Sequence, residues 1–306
     1  MKGRYCLNSW TREGVAKAVG FFNQALERDP GYALAYAGLA ETYVSRADSV
    51  KGAVVQKARD AALKAVALDE TLAEAHACLG LVRLHFDWDW PAAERHLRRA
   101  VELNPNSAEA HDDYALYLLT MRKFEEALQH TRRSHELDPL SPIRLALHGS
   151  ALYYLGQYDR ALQEWRSAVD MSPDSPLAHS YQGFAYLQKG MNEAVASALN
   201  GERLSPGNSA ALCVAGYVYG RAGRKDEALR VLGELRELSR REPVPASYVA
   251  WVYAGLGQKD EAFRLLEKVY QQREYALGFL KLHPVYDPLR SDPRFQDLLR
   301  RMNFPP

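Results

Sequence analysis

The 306-residue sequence has few cysteines, almost no net charge and no long apolar run. Cys6, Cys78 and Cys213 lie far apart and form no C-x-x-C pair, which argues against a disulfide framework and a zinc site. A formal net charge of +1 argues against nucleic-acid binding, because such proteins are usually strongly basic on one face. No stretch approaches the roughly 18 apolar residues of a membrane span, and we expect no secretory leader. We therefore expect a cytoplasmic protein that contacts neither nucleic acid nor membrane through this region.

Recognisable catalytic motifs are also missing from the sequence. No glycine-rich phosphate loop follows a predicted strand, and neither G-x-S-x-G nor H-E-x-x-H occurs. His111, Asp112 and Asp113 are residue types that bind metals, but consecutive residues of a helix point to different faces. The sequence therefore predicts no enzymatic activity, no metal and no cofactor.

What the chain does contain is a repeat period of about 34 residues, which is typical of stacked helix–turn–helix units. Glycine, alanine and proline all recur at this period, and several positions recur together. The recurring residues are Gly149, Gly183 and Gly216; Gly156, Gly190, Gly223 and Gly257; Ala161, Ala194, Ala228 and Ala262; and Pro105, Pro139, Pro173 and Pro206.

Residues 148–173, "HGSALYYLGQYDRALQEWRSAVDMSP", show the pattern most fully and resemble the tetratricopeptide repeat (TPR). The residues that carry the resemblance are Gly149, Tyr153, Gly156, Tyr158, Ala161, Trp165, Ala168 and Pro173. Small residues at two positions of each repeat would let paired helices approach closely. The first-helix position holds Ala40, Gly80, Ala115, Gly149, Gly183, Gly216 and Ala250, and the second-helix position holds Ala18, Ala58, Ala93, Ala127, Ala161, Ala194, Ala228 and Ala262.

The resemblance implies an all-α fold, a right-handed α-α superhelix or TPR solenoid, with about seven full repeats. We expect residues 1–306 to form one such array. Its parts are a partial repeat 1–32, repeats 33–72, 73–107, 108–141, 142–175, 176–208, 209–242 and 243–276, and a C-terminal cap 277–306. Residues 1–10 are too short for a full first helix, so the first repeat looks truncated, although a naturally short capping helix is the alternative.

Two turns of the array are unusual: one carries an insertion, and the other carries two tryptophans. An insertion within residues 44–56 is expected to lie between two helices, with Gly52 as a break. Trp88 and Trp90 are either an exposed binding wedge or a staple that holds a long turn to its neighbouring helices. We favour the staple because tryptophan is usually buried.

Helix starts are predicted from capping residues. Asp89 is expected to cap the helix that starts near Pro91, and Asp292 to cap a terminal helix. Thr71 and Glu74 are predicted to form a capping box.

Three histidines, His76, His111 and His179, occupy one equivalent place in three repeats. Such places lie one repeat apart and would not converge on a metal ion. We expect these side chains to pack or to hydrogen-bond at a helix edge.

Beyond the generic repeat, the chain resembles the C-terminal TPR region of bacterial multidomain regulators. The segments that carry this resemblance include "FDWDWPAAERHLRRAVELNP" and "HPVYDPLRSDPRFQDLLRRM". In that group the region follows a winged-helix domain, a Ser/Thr kinase domain or an adenylyl cyclase domain. The resemblance implies a sensor or scaffold portion of a signalling or transcription regulator.

The first helices of TPR arrays line a concave face, and we expect the partner-binding surface to lie there. The expected surface residues are Tyr153, Tyr154, Tyr181, Phe184, Tyr217, Tyr248, Trp251, Glu74, Asp112 and Asp113. Aromatic anchors suit an apolar peptide or helix, and carboxylates suit a basic one. The alternative is that the rings pack tightly inside the superhelix. Because the corresponding places are mostly acidic, small or aromatic, a carboxylate clamp of the chaperone-binding type is not expected.

Three functional hypotheses follow, of which the third is an enzyme whose site no motif reveals. The first is a non-catalytic interaction module that binds a protein or peptide ligand with an apolar or basic segment in the concave groove. The second is a structural module that self-associates, for example as a homodimer.

Overall fold

The computed structural model describes residues 2–7, 12–44, 53–173, 176–190, 192–204 and 206–305. Over these ranges the regular structure is entirely helical. The α-helices are α1 (Lys2–Leu7), α2 (Arg12–Arg28), α3 (Ala33–Val44), α4 (Ala53–Leu68), α5 (Ala73–Val82), α6 (Trp90–Leu103), α7 (Ala108–Thr120), α8 (Phe124–Leu137), α9 (Pro142–Tyr154), α10 (Tyr158–Met171), α11 (Pro176–Gln188), α12 (Glu193–Leu204), α13 (Ser209–Arg221), α14 (Lys225–Leu238), α15 (Ala246–Gly255), α16 (Lys259–Gln272) and α17 (Pro293–Arg301). The predicted all-α class, a TPR solenoid of stacked helix pairs, is confirmed.

Contacts between consecutive helices follow the predicted pairing, as in α3 with α4, α5 with α6 and α9 with α10. The contacts divide the chain into two compact units. The first unit is Met1–Tyr117 with Arg273–Gly278, and the second is Leu118–Gln272 with Phe279–Pro306. Within the second unit the first helices of successive pairs form a row, because α11 contacts α9 and α13, and α13 contacts α15.

The predicted close approach of paired helices is visible at the recurring small residues. All eight second-helix alanines are buried, each with at most 1% of its surface exposed. On the first helices, an added Cβ at Gly149 would lie 2.5 Å from Trp165 Nε1, and one at Gly80 would lie 2.5 Å from Leu97 Cγ. These positions are therefore small because the neighbouring helix leaves no room for a side chain.

In each of the six repeats between residues 73 and 276, the inner turn has one position in the left-handed backbone region. It is occupied by glycine in the later repeats, at Gly156, Gly190, Gly223 and Gly257, with φ between 65° and 77°. Trp88 and Arg122 hold the same position in earlier repeats, with φ of 56° and 61°. For a residue other than glycine this conformation costs about 1–2 kcal/mol.

The turn around Trp88 is stapled, as predicted, and the exposed-wedge interpretation is wrong. Trp88 and Trp90 are only 3% and 4% exposed. The Trp88 indole N–H donates to the His85 carbonyl at 3.2 Å, and the Arg273 guanidinium lies 4.1 Å from the centre of the Trp88 ring. Arg273 also donates to the Phe86 carbonyl at 2.8 Å. Residues 273–278 thus complete the first unit.

Two of the predicted helix caps are confirmed and one is wrong. The carboxylates of Asp89 and Asp292 accept backbone N–H groups at the starts of α6 and α17, at 3.2 and 3.0 Å. The capping box of Thr71 and Glu74 does not form, because both the amide and the hydroxyl of Thr71 donate to the Asp69 carboxylate. The predicted break at Gly52 and most of the insertion around it lie outside the described residues.

The end of the second unit keeps the spacing of the repeats. Arg294 of α17 donates to Asp260 of α16 at 2.9 Å, and Arg301 donates to Glu267 at 2.8 Å, each across 34 residues. Helix α17 therefore lies beside α16 as a further second helix would. The stretch where its first helix would stand instead forms two 3₁₀ turns, Tyr275–Phe279 and Pro284–Leu289. The second turn contains Pro284 and Pro288, and Pro288 is incompatible with the interior of an α-helix.

The glycine positions give a matched pair of variants. Gly149→Ala is expected to lower the free energy of unfolding by about 1–3 kcal/mol, because the new methyl group would overlap a buried indole that is hydrogen-bonded to the Ala146 carbonyl. In Gly183→Ala the nearest atom outside the helix's own backbone lies 3.5 Å away, so the variant should gain about 0.5–1 kcal/mol from reduced chain entropy. Urea unfolding followed by circular dichroism measures both, and equal stability of the two variants would contradict the packing argument.

Candidate functional site

Seven of the ten expected site residues form one surface in the second unit. We call this set the aromatic surface: Tyr153 and Tyr154 of α9, Tyr181 and Phe184 of α11, Tyr217 of α13, and Tyr248 and Trp251 of α15. All seven belong to first helices of their pairs. The shared face follows from the repeat, because equivalent positions of adjacent helix pairs lie side by side.

Trp165 of α10 holds the first part of the aromatic surface in place. Its ring centre lies 5.9 Å from that of Tyr153 and 5.5 Å from that of Tyr181, which is stacked on it. The indole N–H donates to the Ala146 carbonyl at 2.9 Å. Trp165 is 1% exposed and sits over Gly149, so the small residue of the repeat positions the rings around it.

The chain's own C-terminal segment, defined here as residues 279–290, lies on the rest of the aromatic surface. The imidazole of His283 stacks on Trp251 with ring centres 4.8 Å apart and meets the Phe184 ring edge-on at 5.2 Å. The Tyr217 hydroxyl donates to the Pro284 carbonyl at 3.0 Å. The Trp251 indole N–H donates to the Tyr286 hydroxyl, also at 3.0 Å.

This arrangement corrects the expectation that the rings line an open groove. Tyr153, Phe184 and Tyr217 are buried, while the other four members of the surface are partly exposed. Between the rings and the segment remains a cavity of about 10 Å³, which is lined by His283 and Pro284 on one side. That volume holds about one water molecule. A partner could not enter beside the segment at this point.

Arg290 organises the backbone of the C-terminal segment. Its guanidinium donates to the carbonyls of Lys281, Leu282 and His283, at 2.9, 3.4 and 3.4 Å. The same group pairs with Asp287 at 2.6 Å. These contacts close the segment into a compact turn whose apolar side chains are buried: Leu280, Leu282, Val285, Tyr286 and Leu289.

The contact between the C-terminal segment and the aromatic surface is largely buried. Burial raises the pKa of Tyr153, Tyr154, Tyr181 and Tyr217 above the ordinary tyrosine value. Burial, with a smaller contribution from the Arg290 charge, lowers the pKa of His283 from 6.5 to about 3. His283 is therefore neutral at physiological pH, and placing a charge at this point is unfavourable.

The three expected acidic residues lie in the first unit. Glu74 is in the first turn of α5, and Asp112 and Asp113 are on α7; all three are partly exposed. The structure therefore assigns them to a different unit from the aromatic surface.

Two of the three equivalent histidines hydrogen-bond at a helix edge, as predicted. His76 Nε2 lies 3.0 Å from the Glu70 carbonyl, and His111 Nε2 lies 3.1 Å from the Pro105 carbonyl. Each partner is six residues earlier in the chain. The side chain of His179 lies outside the described residues.

Neither a metal site nor a membrane span is found within the described ranges. No group of three or more His, Cys, Asp or Glu side chains there is arranged to hold a metal ion. Among the helices of the same ranges, none is long and apolar enough to cross a bilayer.

His283 and Tyr286 are contact residues of the site that the sequence reasoning missed. The available signal was the run of alternating apolar residues and two prolines in "LKLHPVYDPL", at the place where the repeat period calls for a first helix. Such a run indicates a buried, non-helical segment.

Comparison with known proteins places tetratricopeptide repeats in two parts of the chain. Residues 149–190 match a family model described as a TPR repeat, and residues 89–142 match one described as a tetratricopeptide repeat. The transcriptional regulator HilA of Salmonella typhimurium strain LT2 is 29% identical over 133 residues. The aligned part is 42% of this chain and only 24% of that regulator's length.

Solved structures agree on the fold. The yeast Tom70 structure is similar with a TM-score of 0.57 at 15% identity, covering 94% of this chain and 62% of Tom70. Pseudomonas aeruginosa PilF has a TM-score of 0.52 at 19% identity, covering 69% of this chain and 93% of PilF.

The lowered pKa of His283 predicts an acid-sensitive contact. Because the detached imidazole binds a proton near pH 6.5 and the docked one near pH 3, docking is most stable above pH 6.5 and weakens as the pH falls toward 3. The neighbouring charges are Arg290 and Asp287. Opening of the segment should become easier by about 1 kcal/mol between pH 7.5 and 5.5. Hydrogen exchange of the 280–289 amides, corrected for the intrinsic pH effect, measures this change.

The control for this measurement is His283→Gln, which removes the titrating group and should remove this part of the pH dependence. An identical pH response in the wild type and in His283→Gln would show that His283 is not the group responsible.

Proposed function

The chain is a tetratricopeptide-repeat protein, and we propose that it is a non-catalytic module that binds a peptide or a partner domain on the first-helix faces of its array. TPR proteins in general bind protein or peptide partners, and their fold is an interaction scaffold. The specific proposal is that the aromatic surface of the second unit is the principal binding site.

The observation that carries this proposal is the kind of contact that the aromatic surface makes. Tyr217 and Trp251 use their polar atoms to hold the segment, one on the Pro284 carbonyl and one on the Tyr286 hydroxyl. Their rings meanwhile supply apolar area. Large rings with a hydrogen-bonding tip are the side chains that dominate peptide-binding surfaces.

The two units carry different side chains on their surfaces and therefore suit different kinds of partner segment. The second unit suits an apolar segment, because its first-helix surface is aromatic. Glu74, Asp112 and Asp113 of the first unit are partly exposed carboxylates, which suit a basic segment. A partner with an apolar or basic segment therefore fits this chain.

The similarity to part of HilA supports a further proposal, that the chain is the sensor or scaffold portion of a bacterial signalling or transcription regulator. In such a protein the array would bind the signal-carrying partner while another domain produces the output. Catalysis, nucleic-acid binding and membrane contact have no place in the role proposed for this region.

Selection of short random peptides on the immobilised full chain tests the proposed surface. We expect the enriched peptides to bind Trp251→Ala and Tyr248→Ala at least about tenfold more weakly than the wild type, because each variant removes a ring from the surface. Isothermal titration calorimetry with the synthetic peptides measures this loss.

The matched control is Tyr32→Ala, which removes a partly exposed tyrosine of the first unit and should leave peptide affinity unchanged. Enriched peptides that bind Trp251→Ala and the wild type equally well would remove the aromatic surface from the proposal.

Self-association is the second candidate function, and one observation favours it. Leu140 and Ile143, on either side of the start of α9, are 81% and 56% exposed. Large apolar side chains this exposed are common at contacts between copies of a chain. Sedimentation velocity across a concentration series is expected to show a dimer that Leu140→Ser weakens, and a strictly monomeric chain would reject this candidate.

A further inference from the structure

The C-terminal segment holds the place of a ligand on the aromatic surface. We infer that it is an intramolecular substitute for the partner, and that the partner displaces it with a segment in which an uncharged aromatic or imidazole ring stands directly before a proline. This inference rests on the proposed function and specifies both the chemistry of the partner and the competitor that the partner must remove.

One of the two hydrogen bonds that Tyr217 and Trp251 make to the segment uses a group that any peptide could offer. The Tyr217 hydroxyl binds a main-chain carbonyl, that of Pro284, and not a side chain. No covalent link or repeat-specific packing is needed for that contact. A second peptide with a carbonyl at the same point would satisfy the hydroxyl equally well.

The His283 ring and the proline that follows it both lie against the aromatic surface. The His283 ring lies against Trp251 and Phe184, and Pro284 directly after it is buried. His283 has φ −70° and ψ 132°, the extended conformation to which a residue before proline is restricted. A ring–proline pair therefore reaches this surface already in the bound conformation, with little entropy left to lose.

The surroundings of His283 disfavour a charged side chain at its position. The rings around His283 belong to buried or mostly buried side chains, and burial lowers the pKa of His283 itself to about 3. Lysine or arginine at the same point would place a permanent charge among aromatic rings and beside the Arg290 guanidinium. The ring of the partner is therefore neutral, which narrows the apolar or basic character expected from the sequence.

The segment belongs to none of the helix pairs of the array. It consists of irregular and 3₁₀ backbone, and Arg290 closes it on itself through three of its carbonyls. Attachment to α16 and α17 gives it a high effective concentration at the surface. A free partner consequently binds with an affinity reduced by the fraction of molecules in which the segment is docked.

The test uses the full chain and a fluorescent synthetic peptide with the sequence of residues 279–290, FLKLHPVYDPLR. In His283→Ser the chain's own segment loses its ring while the aromatic surface stays intact. We expect this variant to bind the peptide at least about tenfold more tightly than the wild type does. Adding Trp251→Ala to His283→Ser should reverse the gain, and Tyr32→Ala alone should resemble the wild type.

The chemistry of the ring position is tested with altered peptides. Replacing the peptide's histidine by phenylalanine keeps the ring but removes the Nδ1 atom that accepts the Val285 N–H at 3.3 Å, so binding to His283→Ser should fall by less than about tenfold. Replacing it by lysine or alanine should weaken binding at least about tenfold. Equal binding of all four peptides would overturn the assignment of a neutral ring before proline.

Two outcomes would overturn displacement itself: peptide binding to His283→Ser no tighter than to the wild type, or binding that Trp251→Ala leaves unchanged. If circular dichroism shows that His283→Ser is unfolded, Arg290→Gln replaces it, because that change loosens the segment without altering the aromatic surface. Library-selected peptides that require Trp251, together with failure of the 279–290 peptide, would reject this inference and leave the proposed function standing.

Discussion

Close approach of paired helices at alanine and glycine positions is the constraint on which the rest of the structure depends. A side chain at Gly149 would overlap the indole of Trp165, so the absence of one lets that indole pack against α9. Tyr153 and Tyr181 then pack against Trp165, and their positions define one end of the aromatic surface. A backbone property of the repeat thus determines where the rings of a candidate binding site can stand.

The helix pairs, their turns and their small-residue contacts could be predicted from the sequence because each is a local arrangement repeated several times. The burial of Trp88 and the caps at Asp89 and Asp292 could also be predicted, since each depends on neighbouring residues. The covering of the aromatic surface could not. Tyr217 and Pro284 are 67 residues apart in the sequence, and their contact is not repeated along the array. Periodicity shows which face of a helix is shared between repeats, but it does not show which other segment packs on that face.

Residues 273–306 keep the 34-residue spacing of the repeat but lack the first helix of a pair. Helix α17 keeps the 34-residue spacing through Arg294 and Arg301, whereas prolines prevent the preceding stretch from forming its helix. The 3₁₀ turn formed by that stretch contacts α15, the last first helix of the row. The same register that stacks the repeats therefore carries an irregular segment to the row of first helices, where it can reach the aromatic surface.

The contacts of Tyr217 and Trp251 with the segment have a consequence for how the sequence can change over evolutionary time. Each residue is confined by its helix neighbours and also by Pro284 or Tyr286. Replacing Trp251 or Tyr286 alone leaves a buried hydrogen-bonding group without its counterpart, whereas any residue at position 284 keeps the carbonyl that Tyr217 uses. Trp251 and Tyr286 are thus constrained to covary, and an alignment of homologues would carry that coupling as a correlated pair rather than as two independently conserved columns.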